Sequence, residues 1–416
     1  MRILFLSHYF PPEVNAPASR TYEHCRQWVA DGHEVTVVTC VPNHPAGQVF
    51  PGYTNRLYQT EIKDGIRVVR LLTYVTPNEG FLKRSANYVL YMLMATAAAP
   101  FLPATDVVVS TSPQFFNGLA GYFVHILKRV PWVLEIRDLW PESILAVGAI
   151  KNRLLIRTLE WMERFAYRNA DHIVSVTDSF VDHIVARGGD PRKIAVIKNG
   201  VDFSVFHEVP QDSALVSQYS LEGKFVAAYV GTHGMAHGLD VILEAAKLLR
   251  DRPDIVFLMV GDGAEKSRLA EHCRVMGLGN VIMLGQQSKG TMPAIWSIAD
   301  VGLVLLRRRP VFKTVIPSKM FEIMAMKKPI ILGVEGEAQR IVEAAACGVC
   351  IEPESAQQLA DNLVSLAAND EEVARLGENG SRYVREHFDR EVLARRFITL
   401  LKSVGGETNK RRPGGA

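Results

Sequence analysis

The chain has 416 residues, 48% hydrophobic and 22% charged, and Lys plus Arg exceed Asp plus Glu by three. A single hydrophobic core stops growing beyond about 250–300 residues, so the length excludes one domain, and the composition excludes a disordered chain. A net charge of +3 is too mild to point to nucleic acid, and a mean hydropathy of +0.06 leaves a small apolar excess to be located.

The N-terminus, Met1-Arg2-Ile3-Leu4-Phe5-Leu6-Ser7, is apolar for only four residues before His8 and Pro11-Pro12. That is too short for a secretory signal and reads as a first strand over 3–7. A proline-rich loop over 9–17 leads into a helix over 18–30, with Pro17 suited to its first turn and Asp31-Gly32 to its end. Strands follow over 35–39, 66–71, 106–110, 132–136, 173–176 and 194–197. Helical patterns over 117–128, 151–168 and 179–187 separate them. Strands alternating with helices predict parallel β-α-β units in a doubly wound sheet. After Asn199-Gly200-Val201-Asp202 the periodicity weakens, and a second series begins. Its strands are expected over 225–230, 255–260, 281–284, 301–305, 330–332 and 349–351, with helices over 240–250 and 318–326 and a last helical segment over 370–404. The predicted organisation is one domain over 1–202, a linker over 203–223 and a second domain over 224–375. A helix over 376–404 would cross back, and 405–416 would form a disordered tail. The fold class is α/β, two Rossmann-like domains facing a cleft, with ligands expected at the carboxyl ends of the strands.

Five scattered cysteines (Cys25, Cys40, Cys273, Cys347 and Cys350) form no disulfide framework and suggest a reducing cytoplasm. Cys347-Gly-Val-Cys350 lacks a second pair or a histidine cluster, so two small buried residues is a better reading than a metal or redox site.

Four segments carry chemical content. Gly231-Thr232-His233-Gly234-Met235-Ala236-His237-Gly238 follows a strand and opens a helix; glycines there let backbone approach a diphosphate, and free N–H groups face it. A tight turn with no ligand is the alternative, and the spacing does not match G-x-G-x-x-G. Gly261-Asp262-Gly263 is a second strand-end turn. In Pro317-Ser318-Lys319-Met320-Phe321-Glu322, Ser318 is a candidate helix cap. Glu322 lies one turn on, either accepting both ribose hydroxyls of a nucleotide or serving as a capping-box residue. Glu135-Ile136-Arg137-Asp138-Leu139-Trp140-Pro141-Glu142 places charges beside an apolar strand, as a functional group or a structural ion pair. No D-x-D occurs, so no metal or cofactor is expected, and a leaving diphosphate would rely on helix dipoles and cations.

Together these segments resemble the GT-B retaining glycosyltransferases of family 4, over nearly the whole chain. Val196-Ile-Lys-Asn199-Gly200-Val201-Asp202 between the halves and Asn280 to Gly285 add to the likeness. Asp138 to Ser143 and the Pro317–Glu322 run look like the bacterial subgroup of WbuB-like enzymes, associated with O-antigen, lipopolysaccharide and capsule synthesis and with N-acetylated amino-deoxy sugars. The resemblance implies sugar transfer, with retention, from a UDP-linked donor to a glycan or undecaprenyl-linked acceptor, the domain over 1–202 binding the acceptor and that over 224–375 the nucleotide-sugar. It implies that Glu322 binds ribose, that Gly231, Thr232, His233, Gly234, His237, Gly238, Gly261 and Asp262 face the diphosphate, and that Gly285 and Gln286 border the base. Lys313, Thr314, Pro317 and Ser318 complete the donor side. Asn15, Ala16 and Pro17, in place of the family's Gly-Gly, shape the acceptor side. Asp138, Arg137 and Lys319 are the catalytic candidates. The family's first glutamate is replaced by Thr314, and its usual donor-loop Arg and Lys by Thr232 and His237, so the diphosphate needs other cations. Lys319, Lys313 and Arg307–Arg309 are candidates, the triple arginine having a solvated loop as its alternative. A nucleotide-sugar 2-epimerase and a non-catalytic nucleotide-sugar-binding subunit are the competing functions; a nicotinamide oxidoreductase is disfavoured by the missing glycine fingerprint.

From Tyr88 to Leu102 the chain carries no charge, and Lys83-Arg84 precede it. This is either an interfacial segment on the inner face of the cytoplasmic membrane or a helix buried under the first sheet.

Overall fold

The computed structural model describes residues 1–44, 46–76, 81–112, 115–146 and 152–411. The chain divides into two units, 1–199 with 390–416, and 200–389.

In the first unit the short aliphatic runs become buried strands: β1 (Arg2–Leu6), β2 (Glu34–Cys40), β3 (Tyr58–Lys63), β4 (Ile66–Leu71), β5 (Val107–Thr111), β6 (Trp132–Ile136), β7 (His172–Ser175) and β8 (Ile194–Val196). Their order is β3-β4-β2-β1-β5-β6-β7-β8, parallel throughout except β3, which pairs antiparallel with β4 across the Asp64-Gly65 turn. The helices are α1 (Ala16–Ala30), α2 (Phe81–Ala98), α3 (Phe115–Lys128), α4 (Glu142–Ala146), α5 (Arg153–Asn169) and α6 (Ser179–Ala186). One sheet face packs Tyr91 and Ala95 of α2, Ala120 and Val124 of α3, Leu159 and Ala166 of α5 and Ile184 of α6. Asn15 caps α1 by accepting from the Ala18 N–H at 2.9 Å, and Asn152 caps α5.

The second unit holds α7 (Ser213–Gln218), β9 (Phe225–Val230), α8 (Asp240–Leu248), β10 (Ile255–Val260), α9 (Lys266–Met276), β11 (Val281–Leu284), α10 (Met292–Ser297), β12 (Val301–Leu305), α11 (Lys319–Ala325), β13 (Ile330–Gly333), α12 (Glu337–Ala345), β14 (Gly348–Cys350), α13 (Ala356–Ala367) and α14 (Asp370–His387). The parallel order is β11-β10-β9-β12-β13-β14. The strand order reverses direction at β9 and β12, and at β1 and β5 in the first unit; such switch points open crevices at the carboxyl ends of doubly wound sheets.

The last helix, α15 (Arg390–Arg411), belongs to the first unit. Its Leu393, Ala394, Phe397, Ile398 and Leu401 pack with Trp28 against the second face of the first sheet. The Trp28 indole N–H donates to Ala394 O at 2.9 Å, and Arg390 pairs with Glu23. The two passages between units run side by side, where Val201 N–H donates to Phe388 O.

Several expectations are corrected. The 203–223 segment is part of the second unit's core, since Phe206 and Leu221 are buried there and it forms α7. The segment read as one helix over 370–404 is two, because Phe388 leaves the helical line to stack on Phe321 at 4.4 Å. The chain is helical past 405 to Arg411, where a tail had been expected; 412–416 lie outside the described residues. β3 and its hairpin were missed. The run from Tyr88 lies in α2 and a following 3-10 turn, with Tyr88, Tyr91, Ala95, Ala98 and Leu102 buried.

Candidate active site

Two glycine turns meet at the carboxyl ends of β9 and β10. Gly231 N–H donates to Val260 O at 2.9 Å, His233 N–H to Asp262 O at 2.8 Å, and Glu265 N–H to His233 O at 2.9 Å. This nesting needs glycine: a Cβ on Gly261, at φ +148°, would sit 1.9 Å from Gly231 O, and one on Gly263 would sit 2.5 Å from His233 O. The Lys266 ammonium closes the turn by donating to Gly261 O at 2.9 Å. The Asp262 carboxylate is spent on Gly263 N–H at 2.7 Å.

Lys319, the first residue of α11, stands over this loop. Its ammonium lies 3.7 Å from the centre of the Tyr229 ring and is buried with no hydrogen-bond acceptor among the described residues. A Cβ on Gly231 would come within 2.8 Å of it, so glycine makes room for the lysine as well as for backbone. Burial pulls the Lys319 pKa down to about 7, against the pull of Glu322. One turn on, burial lifts the half-buried Glu322 to about 7, with Lys289 and Lys319 opposing. His233 is fully buried with neither ring nitrogen hydrogen-bonded among the described residues, and burial, Lys266 and Lys319 lower its pKa to about 4, keeping it neutral. His237, whose Nδ1 lies 3.3 Å from Gly234 O, is held at about 3 by burial and Lys319. A buried ammonium without a hydrogen-bonded acceptor, beside neutral imidazoles, is a poor resting arrangement and a good anion receptor.

Three of the other proposed cations, Lys313, Arg308 and Arg307, already pair with carboxylates. Lys313 pairs with Glu335 at 2.9 Å, and Arg308 faces Glu335 and Glu352 at 3.7 and 3.6 Å. Arg307 donates to Met235 O at 2.6 Å and pairs with Glu354 at 3.2 Å. Arg307 therefore braces the 231–238 loop, whereas Arg308 and Arg309 are exposed, Arg309 donating to Arg308 O at 3.1 Å. Thr314, in a 3-10 turn after Pro310, donates to Val311 O at 2.7 Å. Ser318 stands at the N-cap position of α11 as expected, but its side chain makes no capping bond, because the residue itself already has helical φ and ψ. Pro317 precedes it in the turn. Gly285 and Gln286 lie exposed just past β11.

In the first unit, Arg137 donates to Ala16 O at 3.0 Å and Pro17 O at 3.3 Å, so it is tied to the first turn of α1 below Asn15. Burial lowers it to about 10, while Glu135, itself bonded to Arg20 at 2.9 Å and Thr111 at 2.6 Å, favours its charge. Burial raises Asp138 to about 6, and Ser143 donates to it at 3.1 Å. Asp138 and Arg137 thus belong to one unit and Lys319 to the other. Sequence reasoning missed Tyr229 under Lys319. It also missed Glu13, which accepts from the Asn43 and His44 N–H groups at 3.0 and 2.9 Å and is lifted to about 7 by burial. A carboxylate in a loop after the first strand was the available signal for Glu13; nothing in the spacing marked Tyr229.

Residues 15–200 match the family model of the glycosyl transferase 4-like domain, and residues 214–383 match that of glycosyl transferases group 1. The chain is a GT-B glycosyltransferase related to these families. This glycosyltransferase is 27% identical, over 97% of its length and all of the relative, to the putative colanic acid biosynthesis glycosyl transferase WcaI of Escherichia coli. It is 24% identical to the probable glycosyltransferase WbjE of Pseudomonas aeruginosa, over 67% of its own length and 69% of that chain. Its fold is that of sucrose-phosphate synthase from Thermosynechococcus elongatus, with TM-score 0.76, 18% identity and coverage of 98% and 99% of the two chains. It also matches Anabaena HepE in complex with UDP and glucose, with TM-score 0.73, 19% identity and coverage of 97% and 100%. The GT-B glycosyltransferase transfers a sugar from a nucleotide-sugar donor to an acceptor.

Proposed function

We propose that this protein is a retaining glycosyltransferase that moves a sugar, an N-acetylated amino-deoxy hexose, from a UDP-linked donor to a glycan or lipid-linked acceptor of a bacterial surface polysaccharide. The observation that carries the donor side is the buried, unpaired Lys319 ammonium over the Gly231–Gly238 loop, with Glu322 one turn further along. Lys319 and the loop N–H groups receive the diphosphate, and Glu322 accepts the ribose hydroxyls. As the diphosphate departs, positive charge grows on the anomeric carbon. Lys319 stabilises the leaving oxygens, and the diphosphate takes the acceptor proton on the same face, so no protein nucleophile is required. Arg137 and Asp138 belong to the acceptor side, with Asn15, Ala16 and Pro17. The surface-polysaccharide assignment is supported by the likeness to proteins named for colanic acid and teichuronic acid biosynthesis. The WbuB-like subgroup and the amino-deoxy sugar rest on the 138–143 and 317–322 segments.

Removing the Glu322 carboxylate as Glu322→Ala is expected to weaken UDP-sugar binding by about 1.5–3 kcal/mol, or roughly ten- to hundredfold, with the circular dichroism spectrum unchanged. Titration calorimetry with UDP measures it, and unchanged affinity and turnover would sink the donor assignment. Donor turnover that proceeds without any acceptor would instead favour the 2-epimerase.

A further inference from the structure

β3 is the outermost strand of the first unit's sheet, and among the described residues no strand pairs with its far side. Natural edge strands are blunted by proline, by bulges or by charged side chains. β3 has no proline, and its six residues pair with β4 in unbroken register from Tyr58 opposite Leu71 to Lys63 opposite Ile66. Its two charges lie on the half-buried face, where Glu61 pairs with Arg70 at 2.7 Å and Lys63 lies 5.8 Å from the centre of the Tyr22 ring. The exposed face carries Tyr58, Thr60 and Ile62, all uncharged and all good strand formers, with Ile62 70% exposed. Asn55 keeps the preceding chain beside β4, donating to Thr73 O at 2.8 Å and accepting from the Thr73 N–H at 3.1 Å.

The hairpin fixes which backbone groups are open. The Asp64-Gly65 turn, with φ of +49° and +77°, is the two-residue kind that closes on a doubly bonded pair, Lys63 with Ile66. Leu72 N–H, donating to Leu57 O at 3.4 Å, has the same parity. Odd-numbered residues of β3 therefore direct N–H and C=O to β4, and Tyr58, Thr60 and Ile62 direct theirs outward.

A strand that completes this edge must offer open groups at every second residue and uncharged side chains on the same face. β3 of a second copy, turned about a two-fold axis through Thr60 and perpendicular to the sheet, meets both conditions. Tyr58 then faces Ile62 of the second copy and Thr60 faces Thr60, each pair exchanging two backbone hydrogen bonds. A ring against a β-branched side chain, and threonine against threonine, are favourable cross-strand pairs. The flanks match as well: Gln59 falls opposite Glu61, and exposed Arg56 opposite exposed Asp64, so no like charges meet. Other registers fit worse, since centring on Glu61 sets that carboxylate against itself and centring on Gln59 leaves Ile62 facing Arg56.

We propose that this protein forms a two-fold dimer through β3, joining the sheets of two first units into one. The inference stands apart from the donor chemistry, because its test uses no sugar.

Sedimentation velocity of the full chain from about 1 to about 200 μM covers micromolar dissociation constants, the range suited to a small interface. A species of twice the 46.2 kDa chain mass should grow with concentration. Thr60→Lys and Thr60→Glu each set like charges across the axis. Each should weaken dimerisation by about tenfold or more while keeping the wild-type melting temperature, because the side chain is exposed. Mixing the two variants should restore the dimer, because Thr60 faces itself in this register alone. A chain that stays monomeric over the whole range overturns the proposal and leaves the edge to water or to a strand of another protein. So does a dimer that Thr60→Lys leaves intact, or a mixture of the two variants that remains monomeric.

Discussion

Lys319 and Glu322 set the pH dependence expected of the site. Lys319, near 7 when the site is empty, gains charge stabilisation from a diphosphate, so binding above pH 7 takes up a proton and affinity falls as pH rises. Glu322, raised to about 7, must lose its proton to accept ribose hydroxyls, so affinity also falls as pH drops below 7. UDP affinity should therefore peak near pH 7, with limbs of at most about tenfold per pH unit. Lys319→Gln should flatten the alkaline limb, and calorimetry in buffers of different ionisation enthalpy should show proton uptake above pH 7 in the wild type alone. A single-limbed profile unaffected by Lys319→Gln would contradict this. Much of the site was legible at this scale, because glycines after strands and a carboxylate one turn into a helix are local patterns. The commitments of Lys313 to Glu335 and of Arg307 to Met235 and Glu354 were not, since they join residues up to 72 positions apart.

Among elements, the buried strands were the most legible, because their apolar runs had to be covered on both faces by helices. β3 escaped because it is an edge strand, alternately half-buried and exposed, with weak apolar content. The split between α14 and α15 escaped because both halves are good helix formers and only the packing of Phe388 on Phe321 interrupts them. The docking of α15 rests on Phe397, fully buried and edge-on to Trp28 at 5.3 Å. Phe397→Ala should cost about 3–5 kcal/mol, measured by urea denaturation. A loss below about 1 kcal/mol would mean that α15 is not integral to the first unit.

For the whole molecule, the two units should respond to different perturbations. In scanning calorimetry, UDP should raise the transition of the second unit, by about 2.7 kcal/mol at a hundredfold excess over its dissociation constant, while Phe397→Ala lowers that of the first. A single transition moved equally by both would show that the units unfold together. The sequence by itself determined two alternating β-α series, the strand-end glycine turns, and the lysine and glutamate that follow Pro317. Those depend on backbone sterics and on periodicities of two and 3.6 residues, which neighbours along the chain settle. A C-terminal helix crossing back was expected from the sequence, but the tertiary structure alone decided that the return begins at Arg390. It alone decided that Lys319 lies on a ring with no hydrogen-bond acceptor among the described residues, and which apolar residues of the second and third helices face water. Burial and electrostatic pairing are properties of residues brought together from distant parts of the chain, so no local pattern encodes them.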